Sequence, residues 1–69
     1  MNVLGVVVNG RTTNVERGST ISDLIAQLKL TTQIVVVEYN GDPLSREEFS
    51  STILGAGDAI EIAQMVGGG

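Results

Sequence analysis

The sequence predicts an α+β fold, a mixed sheet of four to five strands packed on one main helix. Three observations carry that expectation. Two strongly apolar runs, Val3–Asn9 and Ala59–Met65, open and close the patterned part of the chain. Between them lies a single stripe at helical spacing, Ile21, Leu24, Ile25 and Leu28, at i, i+3, i+4 and i+7. Asn9-Gly10 then separates the first run from the alternating Thr12–Glu16 segment, the residue pair that a two-residue hairpin favours.

The elements follow in order. Val3–Asn9 and Thr12–Glu16 form a hairpin, and Arg17-Gly18 ends it. Ser19 or Thr20 caps the helix, and Asp23, three residues after Thr20, fits a capping box and suits the positive end of the helix dipole. Lys29 sits near the C-terminal end, where a cation is favoured. Ile34–Tyr39 is too short for a helix and rich in β-branched residues, so it reads as an inner strand. Asn40-Gly41-Asp42-Pro43 reads as a turn, and Ser45–Phe49 as one helical turn capped by Ser45. Thr52-Ile53-Leu54 is a short edge strand or a loop, Gly55–Asp58 a tight turn, and Ala59–Met65 the last strand. A hairpin followed by one crossing helix requires that helix to cover one face of the sheet. The last strand, as apolar as the first, is expected beside it and parallel to it. This is the β-grasp, or ubiquitin-like, arrangement. The expected organisation is one β-grasp domain over residues 1–66 and a flexible glycine tail over 67–69.

Composition excludes more than it proposes. With 69 residues there is room for one core, and a chain of this size buries only about 60% of the surface its unfolded form exposes. A pocket that engulfs a cofactor would consume that core, so no bound cofactor is expected. The chain has no Cys and no His. Thiol chemistry, disulfides, the usual zinc sites and Ser-His or Cys-His nucleophiles are thereby removed. No catalytic residue and no metal site is expected. The net charge is −4, and the four bases, Arg11, Arg17, Lys29 and Arg46, are scattered, which argues against a nucleic-acid partner. The N-terminal run lacks the basic flank and cleavage pattern of a signal peptide and is too short to cross a bilayer, so a cytoplasmic protein without a membrane partner is expected.

Individual motifs weigh little. Gly55-x-Gly57 lacks the following Lys of a phosphate loop and reads as a turn. Glu47-Glu48 reads as a solvated face, and the Asp58 carboxylate is better suited to turn amides than to a metal. Strand parity is more informative. Glu38 and Glu61 place Val35, Val37, Ile60 and Ile62 inward, leaving Ile34, Val36, Ala63 and Met65 as an apolar patch on the opposite face. Such a patch reads as a protein-binding surface; the alternative is a face half-covered by loops.

The last feature is Gly67-Gly68-Gly69, directly after the final strand. It is either a disordered end, as termini commonly are, or a side-chain-free thread that carries a carboxylate into a narrow channel.

Taken in order, several short motifs resemble one family over essentially the whole chain. They are Val8-Asn9-Gly10, the helix after Gly18-Ser19-Thr20, Val37–Gly41, Arg46-Glu47-Glu48-Phe49, Gly57–Ile62 and Val66-Gly67-Gly68-Gly69. The chain resembles the ThiS family, the ubiquitin-like sulfur carriers of thiamine (thiazole) biosynthesis, with Phe49 where the family often has another aromatic. The resemblance implies a carrier rather than an enzyme. A ThiF-like adenylating enzyme, using ATP and Mg, would act on the Gly69 carboxylate. A sulfur-transfer protein would convert the adenylate to a thiocarboxylate, and a ThiG-like thiazole synthase would receive the sulfur. Gly67 and Gly68 would thread the partner's channel. The rivals are a MoaD-like carrier for molybdopterin, a carrier for tRNA thiolation or amino-acid synthesis, a ubiquitin-like protein modifier, and a non-covalent β-grasp interaction domain with an inert tail.

Overall fold

The computed structural model describes residues 2–31 and 34–65. Five strands form one sheet: β1 (Val3–Val8), β2 (Arg11–Glu16), β3 (Val35–Tyr39), β4 (Asp42–Leu44) and β5 (Ala59–Gln64). Their order across the sheet is β2-β1-β5-β3-β4. β5 runs parallel to β1 and antiparallel to β3, so the last strand occupies the centre as its apolar sequence requires. The helix α1 (Ile21–Gln27) covers one face. Among the described residues this is the β-grasp arrangement, at the five-strand end of the expected range.

The core lies between that face and α1. Leu4, Val6 and Val8 from β1 and Val15 from β2 meet Ile21, Leu24 and Ile25 from the helix. Val37, Ile60 and Ile62 complete the sheet side, with Phe49 and Leu54 from the intervening loop. Val35 packs partly buried against this cluster, so the inward parity inferred for β3 and β5 holds.

Local chemistry sets the ends of α1. Thr20 is the cap: its hydroxyl accepts from the Asp23 N–H at 3.2 Å, and the Asp23 carboxylate accepts from the Thr20 N–H at 2.9 Å. The next two free amides of the helix are met by the 49–52 loop, Ile21 N–H donating to the Thr52 carbonyl and Ser22 N–H to that of Phe49. At the other end, Leu30 N–H reaches the Ile25 carbonyl and Lys29 N–H that of Ala26, the two bonds of a Schellman motif. Lys29 holds the left-handed position of that motif at φ 62°, a place usually given to glycine.

The structure refines the expected map. The turn expected over Asn40–Pro43 is only Asn40-Gly41; both have positive φ, and Tyr39 pairs with Asp42 across a two-residue loop. Asp42–Leu44 is a strand, and Pro43 fits there because β4 is an edge strand on which a missing N–H costs no ladder bond. Thr52–Leu54 is a loop joined to the start of α1 by one bridge, Ile53 to Thr20. The strands expected over Val3–Asn9, Ile34–Tyr39 and Ala59–Met65 each lose a terminal residue, becoming Val3–Val8, Val35–Tyr39 and Ala59–Gln64. In the 3₁₀ turn Arg46–Glu48, the Glu48 carboxylate accepts from both the N–H and the hydroxyl of Ser45.

Candidate functional site

The sheet face turned away from α1 has no helix over it among the described residues, and at one end it is apolar. The register places Val36 opposite Ala63, and Met65 N–H donates to the Ile34 carbonyl at 2.8 Å. Ile34, Val36, Ala63 and Met65 therefore meet in one patch at the end of β5 from which the chain continues toward the glycine run. All four are exposed, Ile34, Val36 and Met65 by 58%, 51% and 53%. Exposure of that size on three large apolar side chains is unused hydrophobic area.

Immediately behind the patch, Glu38 and Glu61 are direct cross-strand partners. With Val36, Ile62 and Ala63 they line a shallow groove of about 270 Å³. The face thus passes from apolar to acidic within one pair of residues. Like charges directly opposite one another in a sheet are unfavourable, so this pairing contributes nothing to stability.

Hydrogen bonds gather at the far end of β5, away from the patch. The Asp58 carboxylate accepts from the Gly55 N–H at 2.7 Å, the Asn40 side-chain amide at 3.2 Å and the Tyr39 hydroxyl. Burial pushes the Asp58 carboxyl up, but these three donors outweigh it and hold it below the usual carboxylate value. The same hydrogen bond, aided by burial and by the Asp58 charge, raises the Tyr39 hydroxyl above its ordinary value. Asp58 thus serves turn amides, as its position in the sequence suggests.

Gly67, Gly68 and Gly69 lie outside the described residues. Among the described residues no group of His, Cys, Asp and Glu is arranged to hold a metal ion, and no helix is long and apolar enough to cross a membrane. Sequence reading missed a pair of interactions that fix β5. The side chains of Asn9 and Asn40, one from each Asn-Gly turn, both hydrogen-bond to the backbone of that strand. The repeated Asn-Gly pair was the available signal.

Comparison with known proteins agrees with the fold. The ThiS family model matches residues 6–69. The sulfur carrier protein ThiS of Bacillus subtilis is 42% identical over 50 residues, 72% of this chain and 76% of that protein. A thiazole synthase of Magnetococcus marinus is 34% identical over 62 residues, which is 90% of this chain but 19% of the longer enzyme. The crystal structure of a thiamine biosynthesis protein (ThiS) from Geobacter metallireducens superposes with a TM-score of 0.80 at 35% identity, covering 96% of this chain and all of the other. The solution structure of a thiamine biosynthesis protein from the same organism gives 0.77 at 35% identity, with 96% and 88% covered. A five-stranded β-grasp sheet, a family match across nearly the whole sequence and these relatives establish that the chain belongs to the ThiS family, the sulfur carriers of thiamine biosynthesis.

Proposed function

We propose that the Gly69 carboxylate is the covalent carrier group and that the apolar end of the open sheet face docks the enzymes that act on it. The observation that carries the reading is that the family match runs through residue 69, so the glycine run belongs to the family's own pattern. A terminal carboxylate with an ordinary pKa of about 3.3–3.7 is ionised at neutral pH. One of its oxygens attacks the α-phosphorus of ATP on a ThiF-like enzyme, pyrophosphate leaves, and an acyl-adenylate remains. Hydrosulfide, delivered at the sulfide oxidation level by a sulfur-transfer protein, then displaces AMP, so a C–S bond replaces C–O with no change of oxidation state. The thiocarboxylate gives its sulfur to a ThiG-like thiazole synthase. ATP and Mg belong to the adenylating enzyme, and the carrier supplies no acid or base.

Two features support this assignment of partners. A protein named thiazole synthase contains, within one polypeptide, a stretch similar to 90% of this chain, a pairing expected of proteins that work together. Ala63 and Met65 lie on the segment that leads to the glycine run, with Ile34 and Val36 beside them on the neighbouring strand segment, so an enzyme docked on the patch would be brought near the tail. Gly67 and Gly68 have no side chain to obstruct a narrow channel. The test is a single residue added after Gly69, assayed with purified adenylating enzyme in the absence of protease. Pyrophosphate release should vanish while the melting curve is unchanged. Release at the normal rate would place the carrier group elsewhere.

A further inference from the structure

We propose that Asn9 is a positioning residue that fixes the direction in which β5 delivers the glycine run. Pairing of β1 with β5 stops at Val8 opposite Ile60, where β1 turns away into the Asn9-Gly10 hairpin. Asn9 N–H still donates to the Ile60 carbonyl at 2.9 Å. Its side chain then takes over from the backbone: the amide oxygen accepts from the Ile62 N–H at 2.7 Å, and the amide nitrogen donates to the Ile62 carbonyl at 3.1 Å. A primary amide can serve both groups at once because it carries a donor and an acceptor side by side. Asn9 therefore adds one rung to a ladder whose strand has already ended. On the opposite edge, Met65 N–H is held by the Ile34 carbonyl at 2.8 Å. These two contacts, one from each side, set the course of the chain as it leaves the sheet.

Asn40, in the second Asn-Gly turn, provides the natural comparison. Its backbone N–H donates to the Ala59 carbonyl at 2.7 Å, and its side-chain oxygen accepts from the Ala59 N–H at 2.8 Å. The oxygen plays the same part, but the Asn40 amide nitrogen donates to the Asp58 carboxylate rather than to β5, and Ala59 is the first residue of β5, at the end remote from the glycine run. Asn9 and Asn40 both adopt positive φ, at 50° and 51°, so Asn→Gly removes the side-chain bonds at either site while keeping a residue that suits the turn.

The role rests on the carrier reading above, and the experiment separates the two. Asn9→Gly, Asn9→Asp and Asn40→Gly are compared with the unmodified protein in steady-state pyrophosphate release by the adenylating enzyme, and in amide hydrogen exchange. Asn9→Gly should lower kcat about tenfold with KM for the carrier unchanged, since displacement of a reacting group by an ångström suffices for such a loss, whereas Asn40→Gly should stay within about twofold. Exchange of the Ile62 amide should quicken in Asn9→Gly while that of Val6 stays slow. Asn9→Asp keeps the acceptor for the Ile62 N–H and loses the donor to its carbonyl, so it should fall between. Equal kcat in Asn9→Gly and Asn40→Gly, or a normal kcat in Asn9→Asp should Asn9→Gly fail to fold, would overturn the positioning role alone. No release with the unmodified protein would overturn the carrier reading and this role with it.

Discussion

Replacing Val36 with Asp should weaken partner binding by on the order of 100-fold and leave the fold intact. Val36 is 51% exposed in the free protein, so about half of its area remains to be buried. Full burial of a valine side chain is worth about 1.5 kcal/mol at the low end of the usual range, and the exposed half therefore about 0.8 kcal/mol. Val36→Ala should cost about that amount, or three- to fourfold in Kd. An aspartate at the same place loses the apolar gain and must also be desolvated beside Glu38 and near Glu61, adding about 2 kcal/mol or more. The sum, about 3 kcal/mol, is a factor of about 100 in Kd. Stability should change by no more than about 1 kcal/mol, because the side chain points away from the core and only strand preference is affected. Isothermal calorimetry against the adenylating enzyme and against thiazole synthase reads the first quantity, and a denaturant titration reads the second. Met65→Asp should behave alike, but the double variant should cost less than the sum because the two sites share one patch. Unchanged affinity in a folded Val36→Asp protein would remove this face from the interface.

Three further outcomes follow from other parts of the molecule. Gly68→Leu should abolish adenylation without lowering the melting temperature; normal pyrophosphate release by that variant would refute the threading role. Lys29→Gly should stabilise the protein by about 1 kcal/mol, on the order of 5 °C in Tm, because the φ of 62° at the end of α1 costs an L side chain more than it costs glycine; a lower Tm would show that the Lys29 side chain contributes more than the strain it brings. Tyr39→Phe should cost about 1 kcal/mol near neutral pH through loss of its bond to Asp58. The lowered Asp58 carboxyl gives stability that is present above the unfolded value near pH 4 and lost as pH falls through the folded value. The raised Tyr39 hydroxyl gives stability that is present below about pH 10 and lost as pH rises through its folded value. Tyr39→Phe should flatten both flanks, and chemical denaturation across pH checks it; unchanged flanks would exclude this network as their source.

Much of the fold was legible because local chemistry and burial agree. The Ile21, Leu24 and Ile25 stripe became the buried face of α1, and Thr20 with Asp23 closed its start as a capping box. The alternation around Glu38 and Glu61 distinguished Val37, Ile60 and Ile62, which are buried, from Val36 and Ala63, which are not. Pro43 obscured the second hairpin. A proline argues against a strand unless the strand lies at an edge, and edge position depends on long-range pairing that no local window contains. The same limit hid Asn9, whose partner Ile62 lies 53 residues away. The exposed patch could be placed by parity alone, but its closeness to the exit of β5 emerged only from the β3–β5 register.

The proposed role of the molecule turns on sulfur being carried by the Gly69 carboxylate. The most direct measurement is the intact mass of the protein after incubation with MgATP, the adenylating enzyme and a sulfide source, followed by fragmentation to locate any change. The expected result is a gain equal to the replacement of one oxygen by sulfur, confined to Gly69. An unchanged mass with active enzyme, or a sulfur found on any other residue, would contradict it.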